Sequence, residues 1–243
     1  LFNSPEATQT TALVHLINHT PDLPSQPLLP SPASQLLPRS QPKTPSCWET
    51  PNITKVACSL IDIIVHKTKI AAIYETAGHQ QVVGSFMKKL DQLLSIGRST
   101  QNFTLESVLK EIRGMGSVHI AASIFKRLFQ RLETPLLEPI RADIRNAYKV
   151  KVPELKLEAF KTAIKRLDSD NRELFRITLK HLGTIAKNCS STQMDSKKLA
   201  ESFVPHFFKI KAENEHPQAL GYAAACLVTP LAYLIDNADN LFE

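Results

Sequence analysis

The sequence predicts an all-α protein. Beyond about Asn52, apolar residues recur every three or four positions, and no stretch alternates apolar and polar residues over a useful strand length. Only 7 glycines occur in 243 residues, so tight turns are few and long helical runs are uninterrupted. With 43% hydrophobic residues the chain can bury one sizeable core, with an extra segment beside it.

Taken in order, the first element is short. Ser4-Pro5 makes a cap and first-turn pair for a helix running to about Asn18, with Ala12, Leu13, Leu16 and Ile17 on one stripe, so residues 1–20 are expected to form a short amphipathic helix. Residues 21–51 differ in texture. Nine of the chain's 16 prolines fall there, and fixed φ values with missing N–H donors forbid helices and sheet ladders, so a disordered, extended proline-rich linker is expected.

Residues 52–243 are expected to form the helical domain. "NITKVACSLIDIIVHK" places Ile53, Val56, Ala57, Leu60, Ile61 and Ile64 on one face, and "QQVVGSFMKKLDQLLSI" does so with Val83, Phe86, Met87, Leu90 and Leu94. Further helices are predicted at about 104–113, 117–132, 138–148, 153–167, 171–188, 195–209 and 217–236, with Asn171 and Asp195 as caps. Such helices pack face to face around a shared core.

Composition excludes several classes of function. The net charge is +6, but the basic residues are interleaved with acidic ones, as in "FKRLFQRLE", which reads as solvated helix faces and not as a nucleic-acid stripe. No apolar run approaches the ~20 residues that span a bilayer. The chain begins at Leu1 with no secretory leader, and is read as a piece of a larger cytoplasmic polypeptide. Its four N-x-S/T triplets, at Asn18, Asn52, Asn102 and Asn188, then carry no meaning. Cys47, Cys58, Cys189 and Cys226 are scattered and are expected to be buried, reduced thiols. His119, His181 and His206 lie on or beside apolar helices, as hydrogen-bonded core or rim histidines do. Neither a phosphate-cradling glycine loop nor a metal-ligand cluster occurs, so no cofactor and no metal are expected.

Three blocks in order carry a family signature. "AAIYETAGHQQVVGSFMKKLD" has Ile73, Tyr74, Gly78, Val83 and Phe86 at the positions of G-[IL]-[FY]-R-x-[SP]-G-x-x-x-x-V-x-x-L. "SVHIAASIFKRLFQRLETPLLEPI" follows D-V-H-x-x-A-x-x-L-K-x-x-L-R-x-L-P-x-P-L-L through Val118, His119, Ala122, Lys126, Leu132, Pro135, Leu136 and Leu137. The third block, from Leu167 to Phe208, shares Asn171, Leu174, Leu179, His181, Leu182, Met194, Leu199, Ala200, Phe203 and Pro205 with two further runs of the pattern. Across about 52–236 the chain resembles the GTPase-activating domain of Rho-family regulators, the RhoGAP fold.

That resemblance implies a site and also a defect in it. Such domains deliver an arginine in trans onto the GTPase-bound phosphates, worth about 10³–10⁵ in rate. The arginine position is occupied here by Glu75. A carboxylate sets negative charge against negative charge where a cation is needed. Two more polar positions depart from the pattern: Gln130 stands for an arginine and Lys198 for an asparagine, while Lys126 keeps the family's lysine. The expectation is a catalytically inactive interaction domain, with Glu75, Lys126, Gln130, Lys198 and Pro205 on the face that meets a Rho-family or related small GTPase or a scaffold partner. Two alternatives stay open: an active protein using a displaced arginine (Arg98, Arg113, Arg127 or Arg131), and a helical interaction domain with no GTPase partner.

In the linker, Arg39, Pro42 and Pro45 fit the [RK]-x-x-P-x-x-P pattern read by SH3 domains, although a plain spacer is the preferred explanation of the same prolines. Ser-Pro and Thr-Pro pairs at Ser4, Thr20, Ser31, Thr44 and Thr50 are candidate phosphorylation sites.

Overall fold

The first described helix, α1 (Thr50–Val65), buries the stripe anticipated for it: Ile53, Val56, Ala57, Leu60 and Ile64 are fully inaccessible, and Ile61 is half-buried. The computed structural model describes residues 50–65, 70–95, 105–114, 117–210 and 217–242, all within one compact unit, Lys43–Glu243. The expected helix over 1–20, the linker up to residue 49, and with it Arg39, Pro42, Pro45 and Cys47, lie outside the described residues. The helix begins two residues earlier than the sequence suggests. Thr50 and Pro51 are its first turn, where a missing N–H has no partner to lose.

The other long helices follow: α2 (Gln80–Ser95), α3 (Leu105–Gly114), α4 (Val118–Leu128), α5 (Arg141–Lys149), α6 (Pro153–Lys165), α7 (Ser169–Lys187), a single turn α8 (Cys189–Thr192), α9 (Ser196–Phe207) and α10 (Pro217–Asp236). No strand occurs among the described residues. Where 117–132 is expected as one helix, α4 stops at Leu128 and a 3-10 turn, Phe129–Arg131, finishes the run; a second 3-10 turn, Glu138–Ile140, precedes α5. The N-cap of α7 is Asp168 and not Asn171. Its carboxylate accepts the Asn171 N–H at 2.8 Å and the Asn171 side-chain amide at 2.6 Å, so Asn171 sits in the first turn as the partner of the cap. Asp195 does cap α9, accepting the Lys198 N–H at 2.7 Å.

α1 lies between α4 and α7, while α10 runs along α9 and α7 and also meets α5. Between them is a knot of rings. Phe125 meets Phe129 edge-on at 5.4 Å, Phe129 meets Phe207 at 5.0 Å, and Tyr74 meets Phe203 at 4.9 Å, all fully buried. Each such side chain contributes about 1.5–3 kcal/mol by leaving water, with more from edge-to-face contacts. This cluster ties the loop carrying Tyr74 to α4 and α9.

The cysteines depart from expectation. Cys58 is exposed, Cys189 and Cys226 are half-buried, and all three are free thiols. Cys58 falls on the solvent side of α1 because Val56, Ala57 and Leu60 take its inner face.

Candidate functional site

The segment from Ile70 to His79, which leads into α2, makes a turn and is fastened to the core at four points. Ile73 and Tyr74 are buried while Glu75, Thr76 and Ala77 are exposed, so the apolar run ends by pushing one carboxylate outward. The Ala72 carbonyl accepts the N–H groups of Glu75 at 3.1 Å and Thr76 at 2.9 Å, which closes the turn. Ala72 is left-handed, at φ 55°, and its own N–H donates to the Thr192 carbonyl at 2.7 Å. Gln193, at φ 56°, is left-handed on the other side of that bond. Two non-glycine residues in this region cost about 1–2 kcal/mol each, which the surrounding contacts offset.

Side chains complete the fastening. The Lys126 ammonium, on α4, donates to the Tyr74 carbonyl at 2.7 Å, directly before Glu75. Burial pushes the Lys126 amine below its usual range. The Tyr74 hydroxyl and His181 Nε2 lie 2.6 Å apart in the core. Burial raises the Tyr74 phenol well above its ordinary value and lowers His181 to about 3, so both are neutral and the pair is a hydrogen bond without charge. The Gly78 N–H donates to the Ser123 hydroxyl at 2.8 Å. A Cβ on Gly78 would lie 2.7 Å from the His119 carbonyl oxygen and 2.7 Å from the Ile120 Cα, so glycine is the residue that fits against α4.

At the tip, Lys198 Nζ stands 3.5 Å from Glu75 Oε1, with both side chains 45% exposed. Lys198 also donates to the Gln193 carbonyl at 3.1 Å. Two of the three polar positions that differ from the expected pattern are thus partners. Each ion-pairs the other, and a pair this exposed contributes at most about 1 kcal/mol.

Of the other residues singled out in the sequence, Gln130 is exposed on the 3-10 turn after α4, and Pro205 is exposed in the last turn of α9. Their elements are joined beneath the surface by Phe129, Phe203 and Phe207. His206 lies beside them. Burial, then the charges of Lys126 and Arg127, lower its imidazole to about 4. Arg127 donates to the Gln80 side-chain oxygen, and Arg131 lies 2.6 Å from Asp91, so both reach toward α2. Arg113 belongs to α3, and Arg98 lies outside the described residues. Among the described residues no group of three or more His, Cys, Asp or Glu side chains gathers as a metal site would require.

Several of these relationships escaped the sequence. Tyr74 and His181 are both positions of the shared pattern, and that common membership is the one signal of their contact in the sequence. The left-handed Ala72 and Gln193 gave none, because neither is a residue that favours that region.

The site is thus a turn fastened at four points to a helical platform, with Glu75, Thr76 and Ala77 exposed at its tip. The family model of the RhoGAP domain matches residues 51–212, and the chain belongs to that family. It is 26% identical over 134 residues to Rho GTPase-activating protein 35 of Rattus norvegicus, and equally to that of Mus musculus, covering 55% of this chain and 8% of the relative. The matched stretch is therefore a small part of those relatives' length. Among solved structures, human Rho GTPase activating protein 15 superposes with a TM-score of 0.64 at 15% identity, covering 82% of this chain and 93% of that one. The BH domain from Graf, the GTPase regulator associated with focal adhesion kinase, superposes with a TM-score of 0.58 at 16% identity, over 78% of this chain and 96% of that one. These likenesses establish the fold, and the family match assigns residues 51–212 to the RhoGAP domain.

Proposed function

We propose that this domain binds a Rho-family or related small GTPase without accelerating its hydrolysis of GTP, and serves as an interaction module in a signalling protein. The observation that carries this reading is the Glu75–Lys198 pair at 3.5 Å on the tip of the pinned loop. Catalysis by this family depends on a cation offered to the transferred phosphoryl group. Here the tip carries an anion, and the cation beside it is already engaged with that anion and with the Gln193 carbonyl.

The loop itself is intact, which supports retained binding. Lys126, Tyr74, Gly78 and Ser123 make the contacts that shape it, and of the residues expected on the binding face Gln130, Lys198 and Pro205 are exposed and Lys126 is half-buried. Much of such an interface is area and complementarity, which the loss of one side chain does not remove. The arginines nearest Lys126 in the chain are poor stand-ins for the missing one. Arg127 and Arg131 hold Gln80 and Asp91, and a displacement of ~1 Å already costs about 10²-fold in rate.

Pull-down by the immobilised domain of Rho-family GTPases, each loaded with GDP or a non-hydrolysable GTP analogue, tests the reading. Capture of at least one GTPase, weakened by substitution of Lys126 or Pro205, is expected. Capture of none in either nucleotide state would leave a helical interaction domain with no GTPase partner.

A further inference from the structure

Away from the pinned loop, the connection between α5 and α6 has a composition that the GTPase reading does not use. Lys151 through Leu155 are exposed without interruption, and Val152 and Leu155 are 48% and 60% accessible. They are two of the four large hydrophobic residues exposed among the described residues, and they lie three positions apart on one turn. Pro153 opens α6 there and fixes the backbone, so presenting the two apolar side chains requires little further ordering.

Cations surround them. Residues 145–156 hold Arg145, Lys149, Lys151 and Lys156 against one carboxylate, Glu154, a net charge of +3. The nearby Asp143 is taken by Arg166 at 2.6 Å. Arg145, Lys149 and Lys151 are exposed. Next to Leu155 in the chain, the Lys156 ammonium lies over the rings of Tyr148 and Tyr233, at 4.7 and 5.4 Å, and those rings meet edge-on at 6.4 Å. Exposed aliphatic side chains with tyrosines and lysines close by in the chain are the combination that suits a lipid headgroup region.

We propose that the α5–α6 turn docks the domain on an anionic membrane surface, with Val152 and Leu155 entering the headgroup–acyl boundary and Lys149, Lys151 and Arg145 facing the lipid phosphates and carboxylates. A nucleic acid or an acidic protein surface would engage the same lysines. A nucleic-acid backbone offers nothing to two projecting aliphatic side chains, whereas a bilayer rewards both features at once.

Co-sedimentation of the full chain with vesicles tests this. One set is phosphatidylcholine alone, and the other is equal parts phosphatidylserine and phosphatidylcholine. Binding to the anionic vesicles is expected to exceed binding to the neutral ones by about 10-fold or more, and to weaken as salt rises. Val152→Ser with Leu155→Ser is expected to reduce it about 10-fold, and Lys149→Gln with Lys151→Gln by a similar factor. All four residues are exposed, so thermal melts of the variants should match the parent and exclude misfolding. The proposal is overturned if the chain fails to sediment, if it binds both vesicle types alike, or if either double variant binds as the parent does. Salt-sensitive binding that survives Val152→Ser with Leu155→Ser, and is competed by a nucleic acid or an acidic polypeptide, also overturns it.

Discussion

Lys198 Nζ lies 3.5 Å from Glu75 Oε1, which brings together the two residues that the sequence resemblance sets at an expected arginine and an expected asparagine position. Neither substitution is then independent of the other. An arginine placed at 75 meets Lys198, a like charge, and is pushed away from the position it should take.

The expectation is that Glu75→Arg alone gives little stimulation of GTP hydrolysis on a captured GTPase, while Glu75→Arg with Lys198→Asn gives at least about 10-fold more than the single change. A properly placed arginine contributes about 10³–10⁵, so a partial recovery is readable above background. Single-turnover hydrolysis measured for parent, each single variant and the double variant forms a cycle that isolates the coupling. Additive effects of the two changes would show that the pair is a bystander.

Tyr74→Phe tests the buried tie between the loop and α7. It leaves His181 Nε2 without its partner at 2.6 Å in a site that water does not reach. A loss of about 1–3 kcal/mol is expected in denaturant unfolding, with no change in the slope against denaturant. Stability equal to the parent's would mean that the tyrosine contributes only its ring.

Gly78→Ala should be worse than most surface alanine substitutions. The added methyl would lie 2.7 Å from the His119 carbonyl oxygen and the Ile120 Cα, which are backbone atoms of α4 and its first turn and cannot swing aside. A loss of about 2 kcal/mol or more is expected, in the range for overpacking. Unchanged thermal unfolding would show that α4 gives way more easily than its burial implies.

Acid should destabilise the domain through two histidines. His181 and His206 hold off protonation until about 3 and about 4 in the folded state, against about 6.5 in an unfolded chain. Between those values the unfolded state binds more protons, so stability is fully present above about pH 6.5 and falls as pH falls toward 4. Each histidine contributes a slope approaching about 1.4 kcal/mol per pH unit. His206→Gln should flatten the profile, as read by denaturant midpoints from pH 7 to pH 4.5.

Much of the helical architecture was legible because apolar periodicity is local: Ile53, Val56, Ala57, Leu60 and Ile64 announce their shared face within one stretch of chain. Helix ends were less so. Asp168 and Asn171 both suit a cap, and only the carboxylate's grip on the Asn171 N–H decides between them. Cys58 was expected inside because cysteine usually is, yet the helix phase set by its apolar neighbours turned it to solvent. At the candidate site the anomaly of Glu75 was visible in the sequence, but its pairing with Lys198 was not. That contact depends on the left-handed Ala72 and on its bond to the Thr192 carbonyl, through which a loop after α1 reaches the chain just before α9.

The most direct test of the inactive-module reading is the hydrolysis of GTP by purified Rho, Rac and Cdc42 proteins with the unaltered domain present in excess. The predicted result is a rate indistinguishable from that of each GTPase alone. An acceleration of about 100-fold or more, abolished by substituting Arg98, Arg113, Arg127 or Arg131, would contradict it by revealing a cation supplied from elsewhere.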